Sequence, residues 1–221
     1  DTTTNADHVE ETVLPAEVIG DKYVVAPPTS PNGAVKGGHV VRIYGNFDGT
    51  ALTYAPAAPA GAPTTIGAGA FVEFGPVTEA FTIEGTEPFV VASFMVGGSL
   101  QAPPGEKCPD FPCRGDRSMP MEVTPKQFRS SYTFLAPADY ETHFADGVAQ
   151  ADATVTIDGA PLTGAPQAIG ATGWSIIREP LKGTGGGVHK LNANKGVGLQ
   201  VMGFGHASSY YYPGGLNLEL I

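Results

Sequence analysis

The chain of 221 residues carries a formal net charge of −10, with 15% charged and 42% hydrophobic residues. The acidic balance excludes nucleic acid and anionic membrane surfaces as partners, since both need clustered Lys and Arg, and no apolar run approaches the roughly 18 residues of a membrane span. Gly and Pro number 30 and 20, too rich in turns for helical packing and too apolar for disorder, so the expectation is an all-β chain of short strands.

Residues 1–12 are polar and acidic without periodicity and read as a flexible leader. A chain that starts at Asp1 rather than Met is consistent with a processed, exported product. From Val13 onward, "KYVVAP", "HVVRIYG", "TALTYA", "AFVEFG", "AFTIEG" and "FVVASFMVG" are each strand-length and rich in β-branched or aromatic residues. "SPNG", "FDGT" and "EGTEP" lie between them and supply the Gly, Asn, Asp and Pro of chain reversals. No helical period of ten residues interrupts the pattern.

An internal repeat organises these strands. "LTYAPAAPAGAPTTIGAGAFVEF" from Leu52 aligns without gaps to "VTIDGAPLTGAPQAIGATGWSII" from Val155, which sets Phe71 against Trp174. "IEGTEPFVVASFMVG" from Ile83 aligns to "LNANKGVGLQVMGFG" from Leu191, and "YVVAPP" at Tyr23 to "YTFLAP" at Tyr132. The repeat predicts two tandem, related antiparallel β-sandwich units, at 13–104 and 122–221. A Pro-rich connector over 105–121, "KCPDFPCRGDRSMP" within it, would join them.

Several stretches together resemble one family: "HVVRIYGNFDGTALTY", "PFVVASFMVGG", "GDRSMPMEVTPKQFRSSYTFLAP" and "QVMGFGHASSYYYPGGLNLEL". They are similar to the IgGFc-binding protein N-terminal domain family over about Leu14 to Leu218, and the Ala and Gly content looks more like a bacterial member. The resemblance implies a β-rich, extracellular or cell-surface, non-enzymatic module for adhesion or recognition. The family pattern has Pro after Gly-Asp where this chain has Arg117, which creates the run "CRGDRS".

Candidate sites follow from the residues. Cys108 and Cys113 sit in C-x4-C spacing with flanking prolines, which suits a short disulfide loop; free thiols or metal chemistry are the alternatives. Arg114, Gly115 and Asp116 form an adhesion triplet, or else a turn in which Asp116 bonds backbone amides. In "HASSYYYPGG", His206 precedes Tyr210, Tyr211 and Tyr212. Strand alternation turns either Tyr211 alone, or Tyr210 with Tyr212, outward to a partner or onto the junction between units. Asp48, Asp146, Asp152 and Asp158 lie at turns without a D-x-D-x-D-G run, so structural calcium has no support and no cofactor or metal is expected. Nucleophile-elbow and phosphate-loop motifs are missing. The expected function is extracellular binding of a protein or glycan, with a self-associating structural module and a carbohydrate-active enzyme as the alternatives.

Overall fold

The computed structural model describes residues 9–33, 37–98, 114–182 and 186–221. Most of the leader and both cysteines, Cys108 and Cys113, lie outside the described residues. The fold is all-β and antiparallel.

In the first half the strands are β1 (Lys22–Val25), β2 (His39–Gly45), β3 (Thr50–Ala55), β4 (Thr65–Ile66), β5 (Phe71–Val77), β6 (Phe81–Gly85) and β7 (Phe89–Met95). They form a sheet in the order β1-β6-β3-β4 and a second in the order β5-β2-β7. Alternation explains both: along β2, Val41 and Ile43 are fully buried while Arg42 and Tyr44 are not. Tyr23, Ile83 and Leu52 from one sheet meet Val41, Phe74 and Val91 from the other in a single core. Burying each such side chain contributes about 1.5–3 kcal/mol, which sets this register against any one-residue slip.

The second half contains β8 (Arg129–Ala136), β9 (Thr142–Gln150), β10 (Val155–Ile157), β11 (Ala160–Pro161), β12 (Gln167–Ala168), β13 (Trp174–Pro180), β14 (Gly187–Gly205) and β15 (Ser208–Pro213). β14 serves two layers. Its first part pairs with β8 and β10, its register breaks between Asn192 and Val197, and its last part pairs with β9 and β15. Tyr132, Phe134 and Leu191 then face Ala145, Ile177 and Val201 across one core.

The pairings of the two halves correspond strand by strand. β1-β6-β3 is matched by β8-β14-β10, and β5-β2-β7 by β13-β9-β14. Leu52 lies opposite Gly85 and Tyr54 opposite Ile83; Val155 lies opposite Ala193 and Ile157 opposite Leu191. Those are the partners that the sequence alignment sets in correspondence. One strand departs. Tyr44 of β2 pairs with Phe71, whereas Val148 at the same place in β9 pairs with Ile176 rather than Trp174. A slip of two residues at β5, beside the irregularity between His39 and Val41, preserves which face each side chain takes.

The halves meet over a buried surface. β9 is buried along nearly its whole length because one face covers its own core and the other covers the first half. Val148 and Ile176 pack with Val24, and Phe144, Met202 and Tyr211 with Met95. Residues in the last part of the 105–121 segment bind both sides: Met95 N–H donates to Ser118 O, Ser93 N–H to Pro120 O, and Gly115 N–H to Gly205 O. The C-terminal segment also crosses, with Ile221 N–H donating to Glu17 O.

Candidate functional site

The outer face of the β5-β2-β7 sheet carries a cluster that the sequence reading did not single out. The Arg42 guanidinium lies 4.6 Å from the Phe94 ring centre, 5.3 Å from Phe71 and 5.9 Å from Tyr44. Arg42 Nε and Nη2 donate to Glu73 Oε2 at 3.0 and 2.5 Å, and Nη1 donates to the Tyr44 hydroxyl at 3.0 Å. The Tyr44 bond, set against partial burial and reinforced by Glu73, holds the guanidinium even more firmly charged. Phe71 is 60% exposed. The cluster is therefore a rigid aromatic platform around a fixed cation, open to solvent, the residue chemistry that concentrates binding energy in protein interfaces. "VRIYG" and "FVEF" held half of the signal, since alternation places Arg42 with Tyr44 and Phe71 with Glu73; joining them needed the β2–β5 register.

The three tyrosines of β15 separate by alternation. Tyr211 points into the junction between the halves, where burial pushes its hydroxyl pKa well up and it donates to Gln200 Oε1. Tyr210 and Tyr212 take the opposite face and stay half-buried. The Tyr210 hydroxyl lies 3.0 Å from His143 Nδ1 and its ring meets the Tyr140 edge. The Tyr212 hydroxyl accepts from Leu135 N–H and donates to Leu135 O, closing the outer edge of β8 at that rung.

The Arg-Gly-Asp segment lies against the second half. Arg114 forms an isolated bridge with His206, and its side chain pairs with Glu141 at 2.8 Å. Gly115 has φ +84 and a Cβ there would come within 2.9 Å of the Phe204 ring, so glycine is required. The Asp116 side chain is buried; its Oδ1 accepts Arg117 N–H, and its backbone N–H and O both bond Ser209 Oγ. Display of the triplet to a receptor requires Asp116 to leave Ser209.

Between the halves lies a buried polar network. Asp146 accepts from Thr29 N–H and Thr29 Oγ1 and pairs with Arg178, whose Nη2 donates to Pro27 O. Burial raises the Asp146 pKa, with Arg178 and Thr29 acting the other way. Glu122 accepts from Ser93 Oγ and Gln200 Nε2, and burial pushes it up to about 7. Fully buried His39 has no hydrogen-bond partner at either ring nitrogen among the described residues; burial and then Arg178 lower its pKa to about 3.

The turn aspartates act within the fold. Asp48 Oδ1 accepts from Ala68 N–H, Asp152 pairs with Lys195, and Asp158 accepts from Lys190 N–H and pairs with His189. No cluster of three or more His, Cys, Asp or Glu side chains is arranged to hold a metal among the described residues. A cleft of about 490 Å³ opens between Pro56–Ala60, Gly75–Phe81 and Gln167–Gly170, and Glu79 is the single carboxylate among its described lining residues.

The profile of the IgGFc binding protein family matches residues 1–203. The chain belongs to this family. No curated protein and no solved structure gives a significant match to the chain. In this IgGFc-binding family member the matched span contains the whole Arg42 platform and ends within β14, ahead of His206 and the tyrosines of β15. Among the described residues no helix is long and apolar enough to cross a membrane.

Proposed function

We propose that this IgGFc-binding family member is an extracellular, non-enzymatic module of two tandem β-sandwich units that binds a protein partner through the outer face of β5-β2-β7. The observation that carries the reading is the Arg42 platform: Phe71, Tyr44 and Phe94 held around a guanidinium that Glu73 and Tyr44 fix in place on the outer sheet face. Such a face loses little side-chain entropy on binding, because its rotamers are already fixed by cross-strand contacts. Glu73 and Tyr44 take one donor from each of the three Arg42 nitrogens, which fixes the plane of the guanidinium against the rings. Family membership supports the same class of partner. A Cys108–Cys113 disulfide, which the C-x4-C spacing suits, would accord with an oxidising extracellular setting.

The test is surface plasmon resonance of the intact chain against a panel of extracellular proteins that includes immunoglobulin Fc. A captured partner should bind Phe71→Ala and Arg42→Ala at least about tenfold more weakly, the loss of a hot-spot residue. Equal binding by the wild type and both variants overturns the assignment of this face. Tyr210→Ala, on the other candidate aromatic strand, is the parallel arm.

A further inference from the structure

The internal junction of the molecule shows what fits the Arg42 face. Arg42 and Glu73 sit directly opposite on β2 and β5, and Asp146 and Arg178 sit directly opposite on β9 and β13. These are corresponding places in the two halves, with the charges exchanged. Tyr44 opposite Phe71 likewise corresponds to Val148 opposite Ile176. In the second half that face is covered: Val148 and Ile176 pack on Val24, with Ala26 and Ala80 beside them. In the first half Phe71 on the same face is exposed, Arg42 and Tyr44 are partly exposed, and no buried cluster covers them among the described residues.

The covering surface also has its counterpart. Because Tyr23 and Tyr132 correspond, Ala26 after β1 matches Leu135 of β8; because Ile83 and Leu191 correspond, Ala80 matches Val188 of β14. Leu135 and Val188 face each other across β8 and β14 and are 53% and 68% exposed. They are thus exposed apolar side chains at the two places that, in the first half, press on the second. The segment after β8 also carries exposed Asp139, where its first-half counterpart is Ser30, next to the Thr29 that meets the ion pair. An acidic group there suits a face whose ion pair has Arg42 in the place of Asp146.

We infer that copies of this chain join head to tail, the Leu135–Val188 edge of one copy docking on the Arg42 face of the next as the first half docks on the second within each chain. This rests on the reading of the Arg42 face as a protein-contact surface and names its occupant as a second copy. The contact uses two different patches, so it is heterologous and leaves one of each patch free at the ends of every assembly.

The test is sedimentation velocity of the full chain from about 1 to about 500 µM, a range that covers weak homotypic contacts. The mass of the wild type should rise above the 22.8 kDa of the monomer with concentration. Phe71→Asp and Leu135→Asp should each be monomeric alone at concentrations where the wild type associates. Mixed in equal amounts they should form a one-to-one dimer, because each retains the patch the other has lost. Val188→Asp replaces Leu135→Asp if thermal melting shows that the latter is unfolded. A wild type that stays monomeric throughout, or folded variants that associate alone or fail to pair when mixed, overturns the inference. If the wild type is monomeric while Phe71→Asp still loses a captured protein partner, only the choice of occupant fails and the reading of the face stands.

Discussion

Tyr23 and Tyr132 make the same pair of hydrogen bonds in the two halves of the chain. The Tyr23 hydroxyl accepts from Gly20 N–H and donates to Phe89 O at 2.7 Å. The Tyr132 hydroxyl accepts from Arg129 N–H at 2.9 Å and donates to Val197 O at 2.5 Å. In each case the donor lies three residues upstream, and the acceptor lies where the chain passes from one sheet to the other. The phenol spans the core and ties the start of the first strand of each half to that crossing. Burial pushes the Tyr132 pKa up and does the same at Tyr23, so both remain neutral donors.

Removing either hydroxyl should therefore cost the same. Tyr23→Phe and Tyr132→Phe each delete both bonds and take this partner from one backbone N–H and one backbone carbonyl, a loss of about 1–3 kcal/mol. Urea denaturation should show both midpoints lowered by similar amounts. A loss confined to one of them would mean that the two crossings are not energetically equivalent.

The two corresponding ion pairs should differ sharply. Asp146→Ala leaves the Arg178 charge without its counter-ion and the Thr29 N–H without its acceptor in the junction and should cost about 3–5 kcal/mol. Glu73→Ala breaks an exposed pair and should cost less than about 1 kcal/mol. Similar losses for the two variants in the same denaturation assay would contradict the burial argument.

Glu122 predicts a pH dependence. Its folded value of about 7 lies above its ordinary value of 4.5, so the folded chain holds this proton more tightly. The associated stability is full below about 4.5 and is lost as pH rises to about 7, on the order of 3 kcal/mol in all. Glu122→Gln can still accept from Gln200 and donate to Ser93 Oγ. It should melt higher than the wild type at pH 8 and no higher at pH 4.

His39 acts in the opposite direction. Its folded value of about 3 lies below its ordinary 6.5, so the unfolded chain takes up this proton first and stability falls as pH drops from about 6.5 toward 3. The two slopes oppose each other between about 4.5 and 6.5, which flattens the wild-type profile. His39→Met removes a buried ring whose two nitrogens have no partner among the described residues and should raise stability by about 1–3 kcal/mol, most at low pH. Reduced stability of this variant at pH 5 in thermal melts would show that the ring has a partner role.

Much of the architecture was legible in the residues. Period-two alternation in "HVVRIYG" identifies Val41 and Ile43 as core and Arg42 and Tyr44 as outward. The Gly-Ala-Pro and Ile-Gly-Ala repeats align Leu52 with Val155 and Ile83 with Leu191, and the strand partners agree. At β5 the alignment runs two residues out of step with the pairing. A slip of two leaves the hydrophobic pattern intact, so no periodicity could reveal it. Alternation also reduces the three tyrosines to two arrangements; the junction chose, because Tyr211 had a core of Met95, Phe144 and Met202 to enter.

The sequence by itself determined that this is an all-β chain with a repeated pattern, which residues of each strand share a face, and which family it belongs to. Local rules suffice there, since side-chain alternation and turn chemistry act over a few residues. Only the tertiary structure decided which of two corresponding faces is covered and which stays open. Arg42–Glu73 and Asp146–Arg178 look alike as polar pairs in a strand pattern. Their difference in burial arises because the first half, lying on the second, removes water from Asp146 and leaves Arg42 exposed to it.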